Sequence, residues 1–138
     1  MTTPVLNIVR CVLLLGVLTL GACASSAVVH SSGGARMKIE LLGFPGCPNT
    51  PAMRENLRAA LEGAGAGLGS TFADVNQESL PESDPRRGWP TPTILVDGHD
   101  LFGMPAPTTP AMGCRIYPNG VPGAAEIRTA LNGTRTGK

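Results

Sequence analysis

The chain has 138 residues, with 11 Lys and Arg against 10 Asp and Glu, and only three Phe, one Tyr and one Trp. That length suits one small domain. Both charge signs are scattered, Arg86-Arg87 is the one basic pair, and aromatic platforms for stacking bases are missing, so a nucleic-acid partner is not expected. The core has to be aliphatic.

At the amino terminus Arg10 precedes the apolar run Cys11 to Leu20, which is too short to span a bilayer, and Leu20-Gly21-Ala22-Cys23 follows. This pattern resembles the bacterial lipobox. It implies a lipoprotein-type signal peptide over residues 1–22 and lipidation of Cys23, against the competing readings of plain secretion and a retained anchor. The expected location is outside the cytoplasm, with the chain held to the cell membrane by its lipid. Loss of residues 1–22 removes Arg10 and leaves ten basic against ten acidic residues. It also discards Cys11, and lipid blocks Cys23, so Cys47 and Cys114 remain as the free thiols. In an oxidising compartment a lone pair of cysteines points to a disulfide.

Residues 23–36 are rich in Ser, Gly and Ala and read as a flexible tether with a reach of roughly 20 Å. Met37 to Leu42 alternates and then meets Gly43 and Phe44-Pro45-Gly46, which predicts a first strand. Asn49 or Thr50 can cap a helix with Pro51 in its first turn, and Met53, Leu57, Ala60 and Leu61 recur at helical spacing. Gly63 ends it. Ser70 to Val75 alternates again, so strand, helix and strand form a right-handed crossover unit with parallel strands. Pro81 and Pro85 leave at most a turn or two of helix between Asn76 and Arg87. Thr93 to Val96 is a buried strand, and Asp97-Gly98 is a hairpin turn into His99 to Phe102. After an irregular stretch from Gly103 to Asn119, Pro122, Ile127 and Leu131 mark a final helix ending near Gly133. The folded domain is then 37–133, with 134–138 as a disordered tail.

Gly46-Cys47-Pro48-Asn49-Thr50 falls where a strand ends and a helix begins. Unpaired backbone N–H groups and the positive end of the helix dipole there favour a thiolate, so Cys47 is read as an exposed, functional thiol. Thr50 stands where a Cys-x-x-Cys motif has its second cysteine. Its hydroxyl can hydrogen-bond a thiolate but cannot resolve a mixed disulfide. Thr91-Pro92-Thr93-Ile94 places a proline immediately before a buried strand. His99 in the hairpin and His30 in the tether lack metal-ligand spacing and read as solvated. Trp89 is a candidate cover for the active edge or plain packing. Arg115 has a functional reading, stabilising a Cys114 thiolate or binding an acidic substrate group, and a bland one as a surface arginine in a loop. The glycine run from Gly63 to Gly69 lacks the ending of a phosphate cradle, and no cofactor is expected.

Together these segments resemble the thioredoxin superfamily, and within it a group of small thioredoxin-like proteins, some with selenocysteine at the position of Cys47 and some labelled as similar to alkylmercury lyase. The resemblance rests on Gly46-Cys47-Pro48, on Pro92-Thr93-Ile94 with Val96-Asp97-Gly98, and on Cys114-Arg115-Ile116-Tyr117. It implies an α/β fold with a four-stranded mixed sheet flanked by helices. It also implies a cis-proline loop at Thr91-Pro92 facing Cys47, whose backbone edge lies open to substrate. Granted that fold, the first strand ends and the third begins at the same end of the sheet, where the Cys114 loop also emerges, so the two thiols can meet.

Three readings of that pair stay open. In the first, Cys47 attacks a disulfide, a peroxide or another soft electrophile, a partner protein's thiol chemistry included, and Cys114 resolves the adduct. In the second, the bond is a permanent staple closing about 66 residues and contributing roughly 4 kcal/mol. In the third, both thiols stay reduced and bind a soft metal such as mercury or copper.

Overall fold

The computed structural model describes residues 36–63 and 71–137. The signal segment, Cys23, the tether before Arg36 with His30, and the glycine run after Gly63 lie outside the described residues. The described chain is an α/β fold in which β1 (Ile39–Gly43), β2 (Ala73–Asn76), β3 (Thr93–Val96) and β4 (His99–Asp100) form one mixed sheet in the order β2-β1-β3-β4. Helices α1 (Asn49–Glu62) and α2 (Ala124–Thr136) complete it.

The sheet is parallel between β1 and β2 and antiparallel elsewhere, with Leu42 beside Val75 on one side and Thr93 on the other. The Asp97-Gly98 turn has positive φ at both residues, 51° and 85°, as a tight hairpin of matching twist requires. Its β4 arm stops two residues sooner than its apolar residues suggest. The reason is Asp100: its Oδ2 accepts from the N–H of Phe102 at 3.1 Å and of Met104 at 2.8 Å, which turns the chain away from the ladder.

The two faces of the sheet are covered differently. Ile39, Leu41, Ile94 and Val96 point to a core shared with Met53, Leu57 and Leu61 of α1 and Ile127 and Leu131 of α2. Both helices therefore pack on one face of the sheet. Irregular chain covers the other face, where Leu42 and Leu95 pack with Trp89. The prolines at 81 and 85 admit only a 3-10 turn at Gln77–Ser79 there. Gln77, wholly buried, braces this cover: its Nε2 donates to the Trp89 carbonyl at 3.0 Å, and its Oε1 accepts from Gly88 N–H at 2.8 Å. Gly88 has φ of 91°, and a Cβ on it would lie 2.5 Å from Pro110 Cα, so only glycine lets the 110–111 segment come so close.

Cover on both faces buries all of β1, including Glu40, which is paired with Lys38 at 3.0 Å and Arg86 at 3.0 Å. At the carboxyl end α2 runs through Gly133 to Thr136, past the expected stop and into the expected disordered tail. A helix-interior glycine costs only about 1 kcal/mol, and the Ile127 and Leu131 contacts already commit this helix to the core.

Candidate functional site

The strand-to-helix junction after β1 sets Cys47. Its N–H donates to the Phe44 carbonyl at 3.1 Å, closing the turn, and its carbonyl accepts from Thr50 N–H at 3.3 Å. Neither Asn49 nor Thr50 caps α1, contrary to the sequence expectation: Pro48, with φ of −68°, occupies the cap position and no side chain bonds there. The fixed φ of proline prepares the first turn instead.

The Thr91-Pro92 bond is cis. Thr91 and Pro92 are both buried, and Cys47 Sγ donates to the Thr91 carbonyl at 3.2 Å. The backbone edge of this loop is not open. Thr91 N–H donates to the Gly113 carbonyl at 2.8 Å, and the Thr91 carbonyl also accepts from Arg115 N–H at 2.6 Å, a parallel bridge that sets Cys114 opposite Thr91. The chain's own residues 113–115 thus fill the edge expected to receive substrate.

Cys47 is 3% exposed, so the reading of it as the exposed thiol is corrected: the exposed one is Cys114. Both are free. Burial, the largest influence on Cys47, opposes its ionisation, but hydrogen bonds from Cys114, Asn49 N–H, Thr50 and Thr91 outweigh it and hold its pKa below the ordinary thiol value. Cys114 is shifted the other way, first by its hydrogen bond to Cys47. Cys47 Sγ on the Thr91 carbonyl and the bridge between Thr91 and Cys114 bring the two residues to the same loop.

Thr50 is 5% exposed and its Oγ1 is buried without a partner while Cys47 is protonated. A buried hydroxyl left so costs about 1–3 kcal/mol. Gly43 makes room for it, since a Cβ there would meet Thr50 Cγ2 at 2.6 Å. A cleft of about 270 Å³ is lined by Cys47 and Thr50 together with Phe44, Pro45, Arg54 and Val75 among others, while Thr91, Pro92 and Cys114 take no part in it. Arg54 within it is hydrogen-bonded to Asp74, tying α1 to β2.

Arg115 plays none of the roles foreseen for it. Its side chain is 8% exposed and forks onto Asp100 at 2.6 and 3.1 Å, reaches Thr93 Oγ1 at 3.2 Å, and lies 4.5 Å above the Tyr117 ring. Tyr117 Oη in turn donates to the Pro92 carbonyl at 2.8 Å. The segment carrying Cys114 is therefore fastened to the proline loop at three points. Sequence reading missed this use of Arg115, Asp100 and Tyr117; the Cys114-Arg115-Ile116-Tyr117 string was its only trace. Trp89, 3% exposed, packs in the second core and donates to the Pro85 carbonyl at 3.1 Å, so it belongs to packing. His99 is exposed in the hairpin. Among the described residues no group of three or more His, Cys, Asp and Glu is arranged to hold a metal, and no helix is long and apolar enough to cross a membrane.

Fold and site together define an α/β protein with two cysteines at one loop, one at a helix amino terminus beneath a cis-proline loop and the other on a segment bridged to that loop. No family model, no curated protein and no solved structure matches the chain.

Proposed function

We propose that this chain is a thioredoxin-like dithiol–disulfide oxidoreductase, exported and tethered to a membrane through a lipid on Cys23, with Cys47 as nucleophile and Cys114 as resolving thiol. One observation carries the reading: the Thr91 carbonyl accepts from both Cys47 Sγ and Arg115 N–H, which brings the two cysteines to one point of the proline loop. The opposed pKa shifts support it, because a thiol held low attacks as a thiolate while its neighbour waits protonated. Thr50 supports the thiolate, and Thr91 and Pro92 hold the Cys114 segment.

The test is a redox titration of the full chain against dithiol–disulfide buffers, with the Cys47–Cys114 disulfide followed by peptide mass. The expected potential lies above about −300 mV, the region of exchangeable disulfides. A potential far below that value, with Cys47 titrating as an ordinary thiol, would replace the reading with a permanent staple. Stoichiometric capture of mercuric or cuprous ion by the reduced pair, without disulfide exchange, would replace it with a thiolate metal site.

A further inference from the structure

Three features of the site bear on what reaches Cys47. The backbone edge beside Pro92 is filled by residues 113–115, so a peptide that recognised it by adding a strand finds its hydrogen bonds already made. Cys47 is 3% exposed, which keeps the sulfur of a folded partner's disulfide at a distance. The cleft of about 270 Å³ does reach Cys47, and Thr50, whose buried hydroxyl has no partner, lines it too. Its volume falls just below the roughly 300–1,000 Å³ of sites for drug-sized ligands, so it suits a smaller molecule.

We propose that Cys47 reduces a small, uncharged organic hydroperoxide that enters through this cleft, with Thr50 Oγ1 donating a hydrogen bond to the departing oxygen. The proposal rests on the dithiol reading above and names its substrate class. Phe44, Pro45 and Val75 give the cleft apolar walls, and Arg54, the cation among its lining residues, is already paired with Asp74, so nothing there selects an anion. The unpartnered hydroxyl decides between a peroxide and a small disulfide. A departing thiolate is a stable anion and gains little from a donor, whereas a departing alkoxide is strongly basic and gains much. Before reaction the Thr50 hydroxyl favours the Cys47 thiolate. As the sulfur–oxygen bond forms, negative charge leaves sulfur and builds on the departing oxygen, so the same donor is worth most in the transition state.

The steps balance. The Cys47 thiolate attacks the terminal oxygen of the hydroperoxide, the S–O bond forms and the O–O bond breaks. The alkoxide takes a proton from solvent and leaves as the alcohol, and Cys47 becomes a sulfenic acid. Cys114 then attacks the Cys47 sulfur, the S–S bond forms, the S–O bond breaks, and hydroxide leaves as water with the Cys114 proton. An external dithiol reduces the disulfide and is itself oxidised.

The test uses the reduced full chain and tert-butyl hydroperoxide. One alcohol per chain and one Cys47–Cys114 disulfide are expected, and a Cys114→Ser variant should halt at a Cys47 sulfenic acid that dimedone traps. Thr50→Val, compared with wild type at a pH above the Cys47 titration of each, should slow the hydroperoxide step by about tenfold or more. It should slow the reaction with dithiodipyridine several-fold less, since that leaving group needs no donor. Thr50→Ser, which keeps the hydroxyl, should restore the rate. Equal slowing of both oxidants by Thr50→Val, or a Cys114→Ser chain that reacts with the hydroperoxide no faster than a free cysteine thiolate, overturns the proposal. If dithiodipyridine still closes the Cys47–Cys114 bond in those cases, the dithiol reading stands without the peroxide; if no oxidant closes it, both readings fall.

Discussion

Burial presses the Cys47 proton on, and Cys114, Asn49 N–H, Thr50 and Thr91 together press it off. Because the partner thiol is the largest of these favourable influences, removing it has a definite sign. A Cys114→Ala variant should raise the Cys47 pKa, and the pH profile of Cys47 alkylation by iodoacetamide should move to higher pH; an unmoved profile would show that the sulfurs do not interact. The shift also bears on stability. A thiol held below its ordinary value stabilises the fold fully above the ordinary thiol range and loses that contribution as pH falls through its own folded pKa. Cys114, held above its ordinary value, stabilises the fold fully below that range and loses the contribution as pH rises through its folded pKa. Cys47 and Thr50 were legible as residues of the candidate site because a turn followed by a helix start is a local pattern. The burial of Cys47 was not, since the Thr91 carbonyl that covers it comes from 44 positions away.

At the scale of elements, the hairpin and the 113–117 segment act as one piece because Arg115 and Asp100 join them. The pair is buried, with side chains 8% and 0% exposed. Replacing Arg115 with Met leaves an unpaired carboxylate inside the protein and should cost about 3–5 kcal/mol in denaturant unfolding. It should also slow closure of the Cys47–Cys114 bond, because the segment carrying Cys114 loses one of its fastenings. A loss under about 1 kcal/mol would mean that water reaches Asp100. Elements with a clean local period were readable: β1, α1 and the Asp97-Gly98 hairpin all follow from it. Elements whose ends depend on a distant or side-chain partner were not. Asp100 cuts β4 short with its own carboxylate, and α2 passes Gly133 because of core contacts that no window of sequence contains.

At the scale of the whole molecule, the sheet has a helical face built on Leu and Ile and an irregular face held largely by polar groups. Gln77, the Glu40–Arg86 pair and Asp84 do there what a second layer of helix would do, and none of them carries a sequence signature, because each side chain is satisfied by groups brought together only on folding. The topology that brings Cys47 and Cys114 to one end of the sheet was legible; the register of the Thr91–Cys114 bridge was not. Asp84 makes this face sensitive to acid. Its hydrogen bond with Arg86, at 2.6 Å to Oδ2, is the first cause that holds its pKa down at about 2. A depressed carboxylate stabilises the fold fully above its unfolded value of about 3.9 and loses that contribution as pH falls through the folded one. Asp84→Asn should therefore flatten the acid limb of the stability curve between about pH 4 and pH 2, read from denaturant midpoints. An acid limb of unchanged slope would place the sensitivity elsewhere.

The Thr91 carbonyl serves two donors, and only one of them can withdraw. Arg115 N–H is permanent; the Cys47 proton departs when the thiol ionises. A thiolate and a carbonyl oxygen are both acceptors, so the sulfur must then turn to Asn49 N–H, the hydroxyls and Cys114. The proton on one sulfur thus competes with the backbone bond that holds the other in place. Once it is gone, that oxygen belongs to Arg115 alone, and the backbone bond to the segment bearing Cys114 no longer has a competitor.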